Sequence, residues 1–259
     1  MSVERRLYAE RLLRGVRPVP VVDVAPAPRA IAEGLWVVDR QLALLGLRLP
    51  ARMTVVRLPD GGLFLHSPVW LDAAARAALD AWGEVRAIVA PNSFHYRFAA
   101  ALKEAYPRAE LFLAPGLAAR RPELPPGTVL GETVPPAWSA VMDQLVFGPV
   151  RGLAEVVFFH RPTATLLLTD LVLHVPRLES LWERFVWRWG MGVGPTPGPS
   201  RTVRLTLLSD RAIAVNALGR IAAWPFERVV MTHGEIVERG GRAAFRAAYA
   251  ALLAPPGTA

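Results

Sequence analysis

The sequence predicts a mixed α/β (α+β) chain, either an αββα sandwich or another mixed sheet-and-helix fold. Three observations predict it. Apolar runs of strand length open the chain at hairpin spacing, strands then alternate with segments of helical spacing, and a second group of strands follows a Pro/Gly-rich middle. The 259 residues, 53% of them hydrophobic, suffice for one large core and exclude a disordered chain.

Residues 2–14 read as a short helix with Leu7, Leu12 and Leu13 on one side, and Pro18, Pro20, Pro26 and Pro28 then impose an extended connector. Leu35 to Val38 reads as the first strand. Met53 to Leu58 and Leu63 to His66 read as a hairpin across Pro59-Asp60-Gly61-Gly62, because Asp-Gly suits positive φ. A helix follows from Leu71 to Trp82 with Asp72 in its first turn, where an acid suits the helix dipole. Val85 to Ala90 is a buried strand, Tyr96 to Tyr106 a helix stopped by Pro107, and Leu111 to Leu113 a strand. Residues 115–136 read as a surface loop. Strands return at Met142 to Phe147, Glu155 to Phe159 and Thr165 to His174, the last two joined by a hairpin connection over His160 to Ala164. Leu178 to Trp189 has helical spacing before a Gly/Pro-rich break; Arg211 to Ala223 suits a helix, Arg228 to Thr232 a strand, and Arg242 to Leu253 a closing helix. The expected organisation is an N-terminal helix and Pro-rich arm (1–30), a single domain (31–253) and a flexible tail (254–259).

The formal charge is +8, and every basic residue except Lys103 is Arg. The arginines are scattered, with no basic run or aromatic-interleaved motif, so a nucleic-acid partner is not expected. No stretch reaches the roughly 18 apolar residues of a transmembrane helix. Charges throughout the first thirty residues leave no signal-peptide core, and a cytoplasmic protein is expected. The absence of Cys excludes disulfides, thiolate ligands and cysteine nucleophiles.

A histidine taken singly is commonly a satisfied core or surface residue. Yet His66, His95 and His233 each stand just beyond an apolar strand, where side chains leave the core at a sheet edge, and Asp170 ends Leu166-Leu167-Leu168-Thr169 in the same way. A carboxylate there is costly to bury unless it is paired or binds a cation. His160, in the turn of the hairpin whose returning strand ends at Asp170, is about six residues or roughly 20 Å away and is a poor partner. Glu155 lies across from Asp170 and can support it, and His174 has no matching partner. The aromatic stretch Trp182, Phe185, Val186, Trp187 and Trp189 fits core or lid packing, or else a surface for a homodimer or an amphipathic membrane contact.

The order hairpin, helix, strand with a His-bearing loop, long middle, strand ending in Thr169-Asp170 and late strand ending in His233-Gly234 resembles the metallo-β-lactamase fold over about residues 33–250. Members carry His-x-His-x-Asp-His, a later His, a metal-bridging Asp and a final His. Laid on Ala90 to His95, the motif's last His falls on His95, and Asp170 and His233 match the bridging Asp and the final His. Ala90, Asn92 and Phe94 replace His, His and Asp; the later His maps near Arg151, and His66-Ser67-Pro68 replaces an Asp-Thr-Gly step. Together with Phe158-Phe159-His160-Arg161-Pro162, the set resembles an uncharacterised bacterial offshoot of the superfamily, a domain of unknown function with a degenerate metal motif.

The resemblance implies a four-layer αββα sandwich whose first metal site is lost. What remains is one His2Asp set of His95, Asp170 and His233, with Asn92 as a weak oxygen ligand. One divalent ion, zinc or iron, would then activate water against an ester, amide or thioester of an unknown small molecule, with Asp170 also orienting that water. The alternative is a non-catalytic protein of the same fold that binds a small ligand or partner without metal, with His66 and Asn92 hydrogen-bonded to His95.

Overall fold

Continuous apolar runs become strands here because each is buried on both faces. In β6 (Val85–Ala90), Ile88 and Ala90 pack on one side while Ala87 and Val89 pack on the other. In β10 (Leu153–His160), Val156 and Phe158 face one core and Val157 and Phe159 the opposite one. This period of two, repeated strand by strand, stacks two sheets between two layers of helices.

The computed structural model describes residues 19–20, 27–44 and 47–254. The helix expected over 2–14 and residues 255–259 of the expected tail lie outside them. The larger sheet has eight strands. It starts with β1 (Val19–Pro20), β2 (Arg29–Ala32), β3 (Leu35–Leu44), β4 (Leu47–Arg57) and β5 (Leu63–His66), and continues through β6 to β7 (Glu110–Leu113) and β8 (Thr128–Val129). Its order is β1-β3-β4-β5-β6-β7-β8, with β2 on β3, antiparallel as far as β5 and parallel from β5 to β8. The smaller sheet has the order β12-β11-β10-β9, from β9 (Met142–Val150), β10, β11 (Thr165–Leu167) and β12 (Arg228–Val230). Only β11 and β12 run parallel in it.

Three cores separate the layers. Phe64, Val89, Phe112, Trp138, Phe158, Leu167 and Val230 fill the space between the sheets. Outside the larger sheet, α1 (Ala73–Trp82) and α2 (Ala99–Ala105) pack Ala75, Leu79, Ala99 and Leu102 on Met53, Leu65 and Ile88. Outside the smaller one, α7 (Arg211–Ala223) and α8 (Gly241–Ala248) pack Leu218, Ile221 and Phe245 on Phe147, Phe159 and Val229. The architecture is the four-layer αββα sandwich.

Several elements differ from the sequence expectation, among them the closing helix expected from Arg242 to Leu253, which is divided at Tyr249. The first two strands are longer, running on through residues 39–52, where an Asp39–Arg52 ion pair at facing register positions (2.6 Å) interrupts the apolar pattern that marks a strand in the sequence. Pro50 is tolerated in β4 because β5 pairs only with Thr54 to Arg57, leaving an open edge beside it. The strand expected from Thr165 to His174 stops at Leu167, since the next amides turn to a side chain described below. The segment expected as a loop over 115–136 contains α3 (Leu117–Arg120) and β8 and runs into α4 (Pro136–Ser139). The helix expected from Leu178 is α5 (Leu181–Arg184), capped by Ser180 and continued by a π-helical turn (Phe185–Gly190). Asp72 is the N-cap of α1, accepting the Ala75 amide at 2.7 Å. A short α6 (Arg201–Leu205) and a terminal α9 (Ala250–Leu253) complete the helices described. Among the described residues no helix is long and apolar enough to cross a membrane.

Candidate metal centre

Two parallel strand pairs end beside one another. β5 and β6 deliver His66-Ser67 and the 91–95 loop; β11 and β12 deliver Thr169-Asp170 and Thr232-His233. The sheets are tied where these ends meet: Asn92 forms a β-bridge with Glu155, and the Val156 amide donates to the Pro91 carbonyl at 2.8 Å. His95, Asp170 and His233, three of the residues singled out from the sequence, thereby converge with ligand atoms all within 4.8 Å of one another.

Asp170 is the hub. Its Oδ1 lies 3.3 Å from His95 Nε2 and 3.5 Å from His233 Nε2. Its Oδ2 accepts from Asn92 Nδ2 at 2.7 Å, and the same amide nitrogen donates to Thr169 Oγ1 at 2.7 Å. Asn92 Oδ1 accepts the Phe94 and His95 amides, each at 2.8 Å. With two donors and two lone pairs spent, Asn92 has no oxygen left for a cation; it orients His95 and Asp170 in place of acting as the weak ligand expected. Burial alone would raise the Asp170 carboxyl, but His95, His233 and the Asn92 amide outweigh it and hold it low, at about 2.

Glu155, fully buried, explains why β11 stops. Its carboxylate accepts the Thr169 amide at 2.7 Å, the Asp170 amide at 3.0 Å and the Leu171 amide at 3.2 Å. Burial and the Asp170 charge push it up, to about 7, against these donors. Tyr249, which the sequence reading passed over, donates from its hydroxyl to the Leu171 carbonyl in the same turn.

The two imidazoles are held differently. His233 Nδ1 lies 2.5 Å from the Pro50 carbonyl, which only accepts, so the proton is on Nδ1 and Nε2 carries a lone pair toward Asp170. Burial, reinforced by His95, lowers its pKa to about 4. His95 Nδ1 lies 3.0 Å from Ser67 Oγ, which accepts from Thr232 Oγ1 at 3.3 Å. A hydroxyl both donates and accepts, so His95 can present either tautomer. The expected link from His66 to His95 is therefore made by the next residue. His66 is buried with its ring edge-on to Phe158 at 5.6 Å, its Nε2 has no hydrogen-bond partner among the described residues, and burial drives its pKa down to about 3.

The final loop is clamped by Arg52, which donates to the Met231 and Gly234 carbonyls, each at 2.9 Å, while paired with Asp39. Gly234 has φ of +95°, and a Cβ there would lie 1.8 Å from the His174 carbonyl oxygen, so only glycine lets this loop pass. Ser67, Arg52, Pro50 and Tyr249 act through partners distant in sequence, and no local pattern marks them. Of the other expected residues, His160 ends β10 and bonds Thr163 Oγ1 at 2.7 Å, and His174 Nδ1 lies 3.1 Å from the Glu235 carbonyl. Arg151 sits in the β9–β10 turn, Ala90 in the helix-facing core, and Phe94 is half exposed.

The donor set fits a divalent cation. Metal–ligand bonds of about 2.0–2.1 Å put neighbouring ligand atoms of a tetrahedron about 3.3–3.4 Å apart. Two of the three spacings, the 3.3 and 3.5 Å from Asp170 Oδ1, match, and the third lies within 4.8 Å. Two nitrogens and one carboxylate oxygen also leave a position open.

A family model described as "Domain of unknown function (DUF4336)" matches residues 32–180. No curated protein matches the sequence. Among solved structures, a metallo-β-lactamase from Pontibacter korlensis superposes with a TM-score of 0.59 at 14% identity, covering 88% of this chain and 99% of that one. The metallo-β-lactamase FIM-1 from Pseudomonas aeruginosa, in a mono-zinc form, gives 0.59 at 13% identity over 90% and 98%. The metal-soaked flavodiiron core of Flv1 from Synechocystis gives 0.59 at 13% over 88% of this chain and 62% of that one.

Proposed function

This chain belongs to the DUF4336 family and has the metallo-β-lactamase fold, and from that premise we propose that it is a cytoplasmic metal-dependent hydrolase with a single-ion site. His95 Nε2, His233 Nε2 and Asp170 Oδ1 would be the ligands, for zinc or iron. One observation carries the reading. The Pro50 carbonyl fixes the proton of His233 on Nδ1, so its Nε2 lone pair and the Asp170 carboxylate, both electron-rich, face each other at 3.5 Å. That pair of facing donors suits a divalent cation, which His233 Nε2 and Asp170 Oδ1 would help to hold.

A bound divalent ion would supply Lewis acidity and bring the pKa of a water down to about 7. The chain's residues supply position. Asn92 and the Glu155-held turn fix Asp170, so its Oδ1 is aimed where two imidazoles meet and its Oδ2 is committed to an amide. The Pro50 bond fixes the ring of His233, and Ser67 orients His95. The substrate of this proposal is a small molecule with an ester, amide or thioester bond.

The second reading, a non-catalytic binder, is favoured by one feature: Asn92 joins Asp170 and His95 by hydrogen bonds that need no ion. The two separate in one experiment. Protein purified without added metal is analysed for zinc and iron, and metal-loaded protein is assayed on a thioester and an aryl ester, beside His233→Ala. The hydrolase reading expects about one ion per chain and hydrolysis, both lost in the variant. A metal-free, inactive wild type whose stability ignores chelator would overturn it.

A further inference from the structure

The segment from Leu181 to Gly190 divides its side chains unequally. Trp187 enters a small core with Leu47, Leu173, Val175 and Val193, and Glu183 closes a capping box with Ser180. Arg188 donates to the Val193, Val175 and Pro176 carbonyls at 2.7–3.2 Å. The segment is thus anchored, yet it holds four large apolar side chains in solvent: Leu181 is 81% exposed, Trp182 50%, Phe185 58% and Trp189 74%. Trp182 and Phe185 stack, with ring centroids 5.9 Å apart. Beside them is a hollow of about 480 Å³ lined by Pro176, Arg177, Leu178, Arg184 and Arg188. Arg177 pairs with Glu235 at 3.3 Å, whereas the Arg184 side chain has no hydrogen bond or ion pair among the described residues.

We propose that this face docks the protein on an anionic phospholipid surface, with the aromatic wedge at the acyl boundary and the arginine-lined hollow seating headgroup phosphate. Charge decides the occupant. A symmetric dimer through the patch would gather the arginines of both copies in one interface, while the nearby acids Glu179 and Glu235 are already paired with Arg48 and Arg177, so like charge would accumulate there at a cost in free energy. The N-terminal region outside the described residues is itself basic between Glu4 and Arg14, so it does not complement the patch. A bilayer surface offers both partners needed: phosphate for the guanidinium groups, and an interface where Trp and Phe rings settle. The formal +8 of the chain draws it to such a surface.

The test is co-sedimentation of the full-length protein with vesicles of phosphatidylcholine alone or with about a third phosphatidylglycerol. Binding to the anionic vesicles, weakened by salt and accompanied by a blue shift of tryptophan emission, is expected. Neutral vesicles should leave the protein in the supernatant. Arg184→Gln should lower the affinity about fivefold and Phe185→Asp with Trp189→Asp about tenfold or more. All three side chains are exposed, so circular dichroism and melting temperature should not change. The proposal is overturned if the wild type ignores anionic vesicles or the variants bind them as tightly. It is equally overturned if the patch serves self-association, seen as a dimer lost in the variants without lipid, or if only acidic polypeptides are retained.

Discussion

His66 and His160 show at the level of single side chains how burial sets stability. Burial, aided by His95 in one case and Arg161 in the other, lowers their pKa values from 6.5 to about 3 and about 4. The unfolded chain therefore takes up protons that the folded chain refuses. Their contribution is complete above pH 6.5 and is lost as pH falls toward 4, with a slope of up to about 1.4 kcal/mol per pH unit for each ring. Urea unfolding between about pH 4.5 and 7 should show this fall, and His160→Gln should flatten it by about one proton; an unchanged slope would contradict the assignment. Glu155→Gln tests the turn that carries Asp170, because an amide has one acceptor oxygen for three amide donors. It should cost about 1–3 kcal/mol and weaken zinc binding about 10–100-fold, read by urea unfolding and by titration against a competing chelator. The strand-end positions of His66, His95, Asp170 and His233 were legible from the apolar runs before them, and the family resemblance narrowed the set to His95, Asp170 and His233. Ser67 and Arg52 were not, because their partners, at positions 95, 231 and 234, are brought near only by the closed sandwich.

Among the elements, strands buried on both faces were the most readable, since no alternation with polar residues dilutes them. The boundaries that failed are those set by partners from elsewhere. β11 ends where Glu155 captures the next amides, and β3 and β4 extend through a cross-strand ion pair that breaks the apolar pattern. The Leu181–Gly190 segment shows the limit of periodicity, which detects a helix but not which aromatic it buries. Trp187 is 1% exposed while Trp189 stands in solvent. Trp187→Ala should therefore cost about 3–5 kcal/mol and Trp189→Ala no more than about 0.5, by urea unfolding of each variant. Gly234→Ala should disturb the loop that carries His233, since the added methyl meets the His174 carbonyl. Loss of metal affinity together with a lowered melting temperature is the expected result, and a variant indistinguishable from wild type would refute the clash.

At the scale of the whole molecule, the two sheets are packed through a shared apolar core, and each carries part of the site at the end where their loops meet. The larger brings His95, the smaller Asp170 and His233, and the joint between Asn92 and Glu155 sets their separation. A ligand set shared between sheets couples metal binding to their docking, so a bound ion stabilises the folded chain by mass action. Free metal at about a hundred times its dissociation constant should add about 2.7 kcal/mol, and chelation should lower the melting temperature accordingly. Wild-type protein that melts identically with and without chelator would oppose this coupling. The order of strands and helices left two mixed folds open, and the family resemblance carried by the loop residues implied the four-layer one; the pairing of distant loops across the sheets carries no sequence signal of its own. The most direct measurement is anomalous diffraction at the zinc or iron absorption edge from crystals of the wild-type protein. A single peak bounded by His95 Nε2, His233 Nε2 and Asp170 Oδ1 is the predicted result, and an empty site, or a peak held by other residues, would contradict it.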